Sequence, residues 1–150
     1  MKKDIEGTLS KNKNPAFEFC EAKYWLAYKE NKVVGRIAAI INHRYIEKWK
    51  NSYIRFGWID FEQEEEIAKK LLTQVEIWAK EKGMNAVHGP IGFTNFDYAG
   101  LLIEGFDQVG TFATIYNYPY YPLFIERAGY QKDVDWVEYK IKLPVVLPER

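Results

Sequence analysis

Between Gln63 and Lys82 the apolar residues Ile67, Ala68, Leu71, Leu72, Val75, Trp78 and Ala79 recur at helical spacing, and Gly83 stands where a left-handed stop belongs. A stripe of that kind needs a surface to pack against. The segment Val33 to Asn42 (VVGRIAAIIN) is an almost unbroken apolar run, which is how a strand covered on both faces reads. Together they require a layered structure in which a sheet carries this helix. Tyr24 to Lys29 (YWLAYK) is β-prone, and Glu30-Asn31-Lys32 supplies a turn, so 24–29 and 33–42 form an antiparallel hairpin. Tyr53 to Phe61 (YIRFGWIDF) is a third strand, aromatic on both faces, and Ala86-Val87-His88 a short fourth. A strand–helix–strand unit crosses over right-handed, so the third and fourth strands run parallel.

The remaining segments carry weaker signals. The first dozen residues are polar and Lys-rich and read as an arm or a short capped helix, with ordered structure from about Phe17. His43 to Asn51 is charged and reads as irregular. From Gly89 to Gly110, glycines at 89, 92, 100, 105 and 110 break any periodicity. A loop of that length in a compact domain is functional or mobile. Thr111 to Tyr116 is expected to be a strand, Pro119 to Ala128 a short helix closed by Gly129, and Val134 to Leu143 (VDWVEYKIKL) a final alternating strand. Residues 144–150 hold two prolines and read as a linker-like tail. The order β-β-β-α-β-loop-α-β defines an α/β (α+β) domain over 1–150, a mixed sheet flanked by helices.

Bulk properties narrow the function classes. A chain of 150 residues buries enough surface to fold as one domain without staples. Lys plus Arg and Asp plus Glu each total 21, which argues against a polyanionic partner such as nucleic acid. The lone cysteine, Cys20, forms no internal disulfide and points to a reducing compartment. Nothing approaches the ~20 apolar residues of a membrane span, and the start lacks the apolar core of a signal peptide. The expected location is the cytoplasm, with no membrane partner.

The strand–turn–helix FGWIDFEQEEEIAKKLL and the segment YYPLFIERAGYQKDVDWVEYKI resemble, in sequence and in order, the GNAT superfamily of acyl-CoA-dependent N-acyltransferases. HGP (88–90), GLLIEGFD (100–107) and YNYPYY (116–121) are similar to an uncharacterised bacterial branch of it. The superfamily carries Gln/Arg-x-x-Gly-x-Gly/Ala at the helix start, and Leu71-Leu72 fixes the frame so that Gln63, Glu66 and Ala68 occupy those places. The resemblance covers roughly residues 15–143. Members of that branch are longer, which implies a fragment that begins after the usual first strand.

The resemblance implies transfer of an acetyl or longer acyl group from coenzyme A to a small amine. In that reading Ile59, Asp60, Phe61, Gln63, Ala68 and Asn117 bind acetyl-CoA or another acyl-CoA. A helix N-terminus holds the pyrophosphate, a strand amide polarises the thioester carbonyl, and a base takes the amine proton. The superfamily often places a Tyr four residues before its Gly-aromatic turn, where this chain has Ile125. Tyr120 and Tyr121, one turn earlier, substitute for it or simply pack. His88, at a strand end, is a candidate base or a structural histidine. Glu104, amid Leu102, Ile103 and Phe106, is a base or amine anchor, or a turn residue. Asn117 orients the cofactor arm or opens the turn before Pro119. Two histidines and one cysteine far apart give a metal site almost no support.

The acidic run at the helix start opposes this reading. Glu62, Glu64, Glu65 and Glu66 crowd the turn where an anion would sit. Two like charges ~4 Å apart repel by roughly 4 kcal/mol at an effective dielectric near ~20, against ~0.3–1 kcal/mol for each favourable charge–dipole contact. One inward Glu is enough to exclude a phosphate, whereas outward carboxylates simply complement the helix dipole. The alternative is therefore a non-catalytic ligand-binding or interaction module with an acyltransferase fold. It is a homodimer or packs against other parts of a longer chain, as an exposed apolar patch would favour.

Overall fold

The computed structural model describes residues 2–111 and 114–142. Helix α1 (Lys2–Thr8) and a single 3-10 turn (Pro15–Glu18) precede strands β1 (Cys20–Lys29) and β2 (Lys32–Asn42). Helix α2 (His43–Trp49), strand β3 (Tyr53–Phe61), helix α3 (Glu65–Glu81), strand β4 (Ala86–His88) and helix α4 (Tyr120–Arg127) follow. The sheet runs β1-β2-β3-β4, antiparallel through β3 and parallel between β3 and β4. This is the expected mixed sheet flanked by helices.

Sequence periodicity places the core. Glu30 and Asn31 both adopt positive φ (49° and 64°), the left-handed pair that a two-residue hairpin turn requires. On β2, Ile37, Ala39 and Ile41 pack beneath α3, where Ile67, Ala68, Leu71, Leu72, Val75, Trp78 and Ala79 are buried. Ile40 faces the other way, into a second cluster with Ala16, Cys20 and Phe93. The N-terminal arm covers that second face. Asn14 donates to Thr8 O (2.7 Å) and Tyr24 Oη to Leu9 O (2.9 Å), which fixes the arm against β1.

β3 contains one residue more than its partner. Arg36 pairs with Asp60 and Ala38 with Gly57, so two steps along β2 match three along β3. The bulge falls at Trp58, whose φ of +46° is the left-handed conformation non-glycine residues rarely take. It shifts the side-chain parity. Phe56 and then Ile59 and Phe61 pack towards α3, while Trp58 meets Phe93 on the opposite face.

Three segments depart from the sequence expectation. Residues 43–49, expected to be irregular, form α2, because Asn42 Oδ1 caps Tyr45 N (2.8 Å) and Lys50 closes the helix in a left-handed conformation. The strand expected at Thr111 to Tyr116 is not formed by its described residues, Phe112 and Ala113 lying outside them. Thr114 Oγ1 donates to Thr111 O (2.9 Å), a local side-chain bond that favours a turn. The final strand expected from Val134 is also absent through Lys142, Leu143 lying outside the described residues, as does the 144–150 tail. Trp136, Tyr139 and Ile141 are exposed there. Alternation makes a strand only where an edge accepts it, and three-residue β4 offers little.

Gly57 fixes how the chain leaves β4. After a cis Gly89–Pro90 bond, Ile91 N–H donates to Phe56 O (2.8 Å), and a Cβ on Gly57 would come within 2.6 Å of Ile91 O. Backbone on both sides leaves little room to yield. Gly57→Ala is expected to lower stability by about 1–3 kcal/mol, read as an earlier midpoint in urea unfolding followed by circular dichroism.

Candidate functional site

β3 and β4 pair at Tyr53–Ala86, Ile54–Val87 and Arg55–His88, and there the ladder ends. Past the single Ile91–Phe56 bond, the bulge at Trp58 directs the end of β3 towards the start of α3 and the entrance of α4. This end, Ile59, Asp60 and Phe61, is one wall of the candidate site.

Two tyrosines of α4 close on it. Tyr120 Oη donates to Phe61 O (2.9 Å), and Phe61 N–H donates to Tyr121 Oη (3.3 Å). The Tyr121 hydroxyl in turn donates to Asp60 Oδ1. The Phe61 and Tyr121 rings stack with centroids 4.2 Å apart, and Tyr118 stacks on Tyr120 at 5.6 Å. Burial raises the pKa of both phenols, and the adjoining Asp60 adds to the shift. They are therefore protonated donors at neutral pH.

The first turn of α3 is arranged through ion pairs. Lys29 meets Glu64 (2.7 Å), Lys32 meets Glu62 (2.6 Å) and Arg127 meets Glu65 (2.9 Å), all exposed. Three of the four crowded carboxylates are thus held by cations from the hairpin end and from α4. Gln63 and Glu66 are exposed, and the N-cap residue Glu64 makes no side-chain cap bond, so it does not cover the first-turn amides. Ala68 is fully buried beneath the same helix, on its packing face.

The other candidates lie apart. Asn117 is buried, accepts from Leu102 N–H (2.7 Å) and donates to Leu102 O and Tyr118 O (both 3.1 Å). These bonds tie the glycine-rich loop to the entrance of α4. Glu104 is exposed on that loop. His88 lies on the face opposite α3, in register with Arg55 and edge-on to the Tyr53 ring (6.5 Å). Burial pushes its pKa below the ordinary histidine value, Asp133 opposes that, and Arg55 adds to it. A shallow groove of about 500 Å3, lined by Lys13, Asn14, Phe93, Thr94 and Asp97 among others, lies on this second face, away from the α3 start.

The structure thus gathers Tyr120, Tyr121, Ile59, Asp60 and Phe61 into one cluster beside Gln63, while His88 and Glu104 stand outside it. The bulge at Trp58 and the buried Arg55 escape a reading of the sequence. The single signal for Arg55 is a cation inside a strand that is otherwise apolar and aromatic up to Asp60.

With this geometry established, comparison with known proteins decides the family. The sequence matches the acetyltransferase (GNAT) family over residues 4–93, from α1 through β4 to Phe93. The chain belongs to the GNAT family. Among curated proteins it is similar to Protein YghO of Escherichia coli (strain K12), 32% identical over 123 residues, covering 82% of this chain and 32% of that protein. It is also similar to the Bacterial ceramide synthase of Caulobacter vibrioides, 28% identical over 142 residues, covering 94% of this chain and 37% of that protein. The chain therefore spans about a third of the length of these relatives. No solved structure matches it significantly. GNAT membership supports acyltransferase chemistry in general and the use of acyl-CoA. Among the described residues no helix is long and apolar enough to cross a membrane.

The sign of the His88 shift gives a pH dependence. A histidine with a depressed folded pKa binds protons less readily when folded, so stability falls as pH drops below the unfolded value of 6.5. His88→Gln is expected to flatten the urea-midpoint curve between about pH 7 and about pH 5. A curve of unchanged slope would assign the acid sensitivity to other groups.

Proposed function

We propose that this chain carries the acyl-CoA-binding part of an N-acyltransferase that acts on an amine. The observation that carries the reading is the parting of β3 from β4 after Arg55–His88, in a GNAT chain whose freed strand end leads directly into the N-terminus of α3. Residues present fit coenzyme A at two places. Amides in the first turn of α3 and the side chain of Gln63 would hold the pyrophosphate, and the backbone of Ile59 to Phe61 would line the arm, with Asn117 fixing the far wall. Ala68 contributes by letting α3 pack close to the sheet. Coenzyme A supplies the activated thioester.

The chain's own groups do the rest. A β3 amide beside the bulge would stabilise charge on a carbonyl oxygen. Tyr120 and Tyr121, protonated and a few ångströms from that strand, are the proposed proton donors to a leaving thiolate. Glu104, exposed on the glycine-rich loop, is the proposed acceptor of the amine proton; His88, on the opposite face of the sheet, would hold the acceptor rather than take its proton. The name of the Caulobacter relative supports an amine that is part of a lipid precursor, and a small amine is the alternative acceptor. Cytoplasmic location accords with the single buried Cys20.

Isothermal titration with acetyl-CoA and with a long-chain acyl-CoA tests this. Saturable binding of one of them, and thiol release on adding an amine, is the expected outcome. Absence of heat at millimolar ligand would refute it.

A non-catalytic module remains the second reading, favoured by Glu66 at the place of a motif glycine and by the tyrosyl hydroxyls already bonded to Phe61. Glu66→Gly separates the electrostatic from the architectural cause. If repulsion alone weakens the anion site, the variant should bind coenzyme A roughly tenfold more tightly, the equivalent of ~1.4 kcal/mol. Unchanged affinity would show that Glu66 already points away.

A further inference from the structure

Arg55 is the one charged residue buried among the described residues, at 3% exposure. Its Nη1 donates to Gly92 O (3.1 Å) and Phe93 O (3.0 Å), and its guanidinium lies 4.8 Å from the Tyr45 ring centre. Two carbonyl dipoles and a ring do not neutralise a full charge. No described carboxylate pairs with it. Asp97, whose field reaches it, has Oδ2 engaged by the Thr94 amide and hydroxyl. Arg55 Nε is buried without any partner.

The neighbouring strand repeats the deficit. His88 is the in-register partner of Arg55 and so shares its face, and its Nδ1 is also buried without a partner. Nε2 faces Asp133 Oδ2 at 3.8 Å. Two orphaned nitrogens therefore occur on paired residues of adjacent strands, at the last rung before β3 and β4 part. A buried cation is ordinarily matched by an anion, because an unmatched one keeps its full desolvation cost. Water would satisfy the orphaned nitrogens but leave the charge. A carboxylate answers both, and guanidinium–carboxylate bonds are among the stronger charge-assisted ones.

We propose that Arg55 and His88 form a carboxylate subsite at the head of the strand opening, and that the acyl acceptor is an amine that also bears a carboxylate. The second half of this rests on the N-acyltransferase reading; the first half does not. The carboxylate accepts from Arg55 Nε–H and from His88 Nδ1–H, with Asp133 facing the opposite nitrogen of the ring. That arrangement needs the imidazolium. In the free protein, burial and Arg55 hold His88 towards its neutral form against the opposing field of Asp133, and the Tyr53 ring lies edge-on beside it. A bound carboxylate compensates Arg55 and raises the His88 pKa, so binding takes up a proton.

The test is calorimetric titration of the chain, with and without coenzyme A, using ω-amino acids from glycine to 6-aminohexanoate and the matching ω-amino amides. Each titration is run near neutral pH in two buffers of different ionisation enthalpy. At least one acid should bind ten or more times tighter than its amide, with net proton uptake. His88→Gln should abolish the uptake while retaining weakened binding, and Arg55→Lys should weaken binding about tenfold while unfolding at a similar urea concentration. Equal binding of acids and amides, no binding of either, or binding without proton uptake would overturn the subsite. Thiol release from acyl-CoA separates the two readings. Carboxylate binding without thiol release refutes the transferase and leaves the subsite. Thiol release that is equal with acids and amides refutes the subsite and leaves the transferase.

Discussion

The extra residue in β3 governs the rest of the molecule. β3 is bonded to β2 along one edge as far as Phe61, and to β4 along the other only as far as Arg55. The bulge at Trp58 lies beyond that last β4 rung. By advancing the side-chain parity one place, it allows Ile59 and Phe61 to continue the core that Phe56 begins, and directs the strand end away from β4. Left-handed backbone at a tryptophan costs about 1–3 kcal/mol and persists where the surroundings over-determine it. Here β2 pairing on both sides and the Trp58–Phe93 contact supply that constraint. The same local irregularity thus sets which side chains at the end of β3 face α3.

Charge at that edge is a second consequence of the fold. Counting carboxylates along the chain makes the α3 entrance look closed to anions. The ion pairs show why such counting misleads. Lys29 and Lys32 come from the hairpin end and Arg127 from the end of α4, each brought to a Glu from a distant part of the sequence. Exposed pairs of this kind contribute little to stability. Their effect is to draw Glu62, Glu64 and Glu65 outward and to set three cations around a helix N-terminus. An incoming anion would meet a rim that is nearly balanced in charge, with Glu66 as the carboxylate left over.

Sequence reading succeeds here wherever periodicity and burial coincide. The α3 stripe and the apolar run of β2 have one physical solution each, and with the hairpin turn they determine the sheet order. It fails where local chemistry decides. α2 buries no residue, so it leaves no stripe, and rests instead on one Asn42 cap and one left-handed lysine. Conversely, residues 134–142 alternate as a strand should, but alternation describes a face and does not provide an edge to pair with. In the site, the tyrosines were visible as a motif, yet their hydrogen bonds to Phe61 and Asp60 depend on a bulge that no residue type announces. Arg55 was hidden for a different reason. Within YIRFGWIDF a cation reads as an exposed position, and the loop at Gly92 and Phe93, with the Tyr45 ring, covers it.

That burial bears on how the two faces of the sheet cooperate. The α3 face is satisfied: its buried tyrosine hydroxyl has partners, and its core is apolar throughout. The opposite face holds the unmatched guanidinium and the unmatched imidazole nitrogen, and it holds them on the last rung of the β3–β4 ladder. Cost concentrated at a point where the ladder stops is cost that a ligand can relieve, and the covering loop there is joined to Arg55 by two hydrogen bonds donated from one nitrogen. On the proposed reading, an acyl donor would meet the α3 face of β3 and an anionic acceptor its opposite face, with the one strand between them.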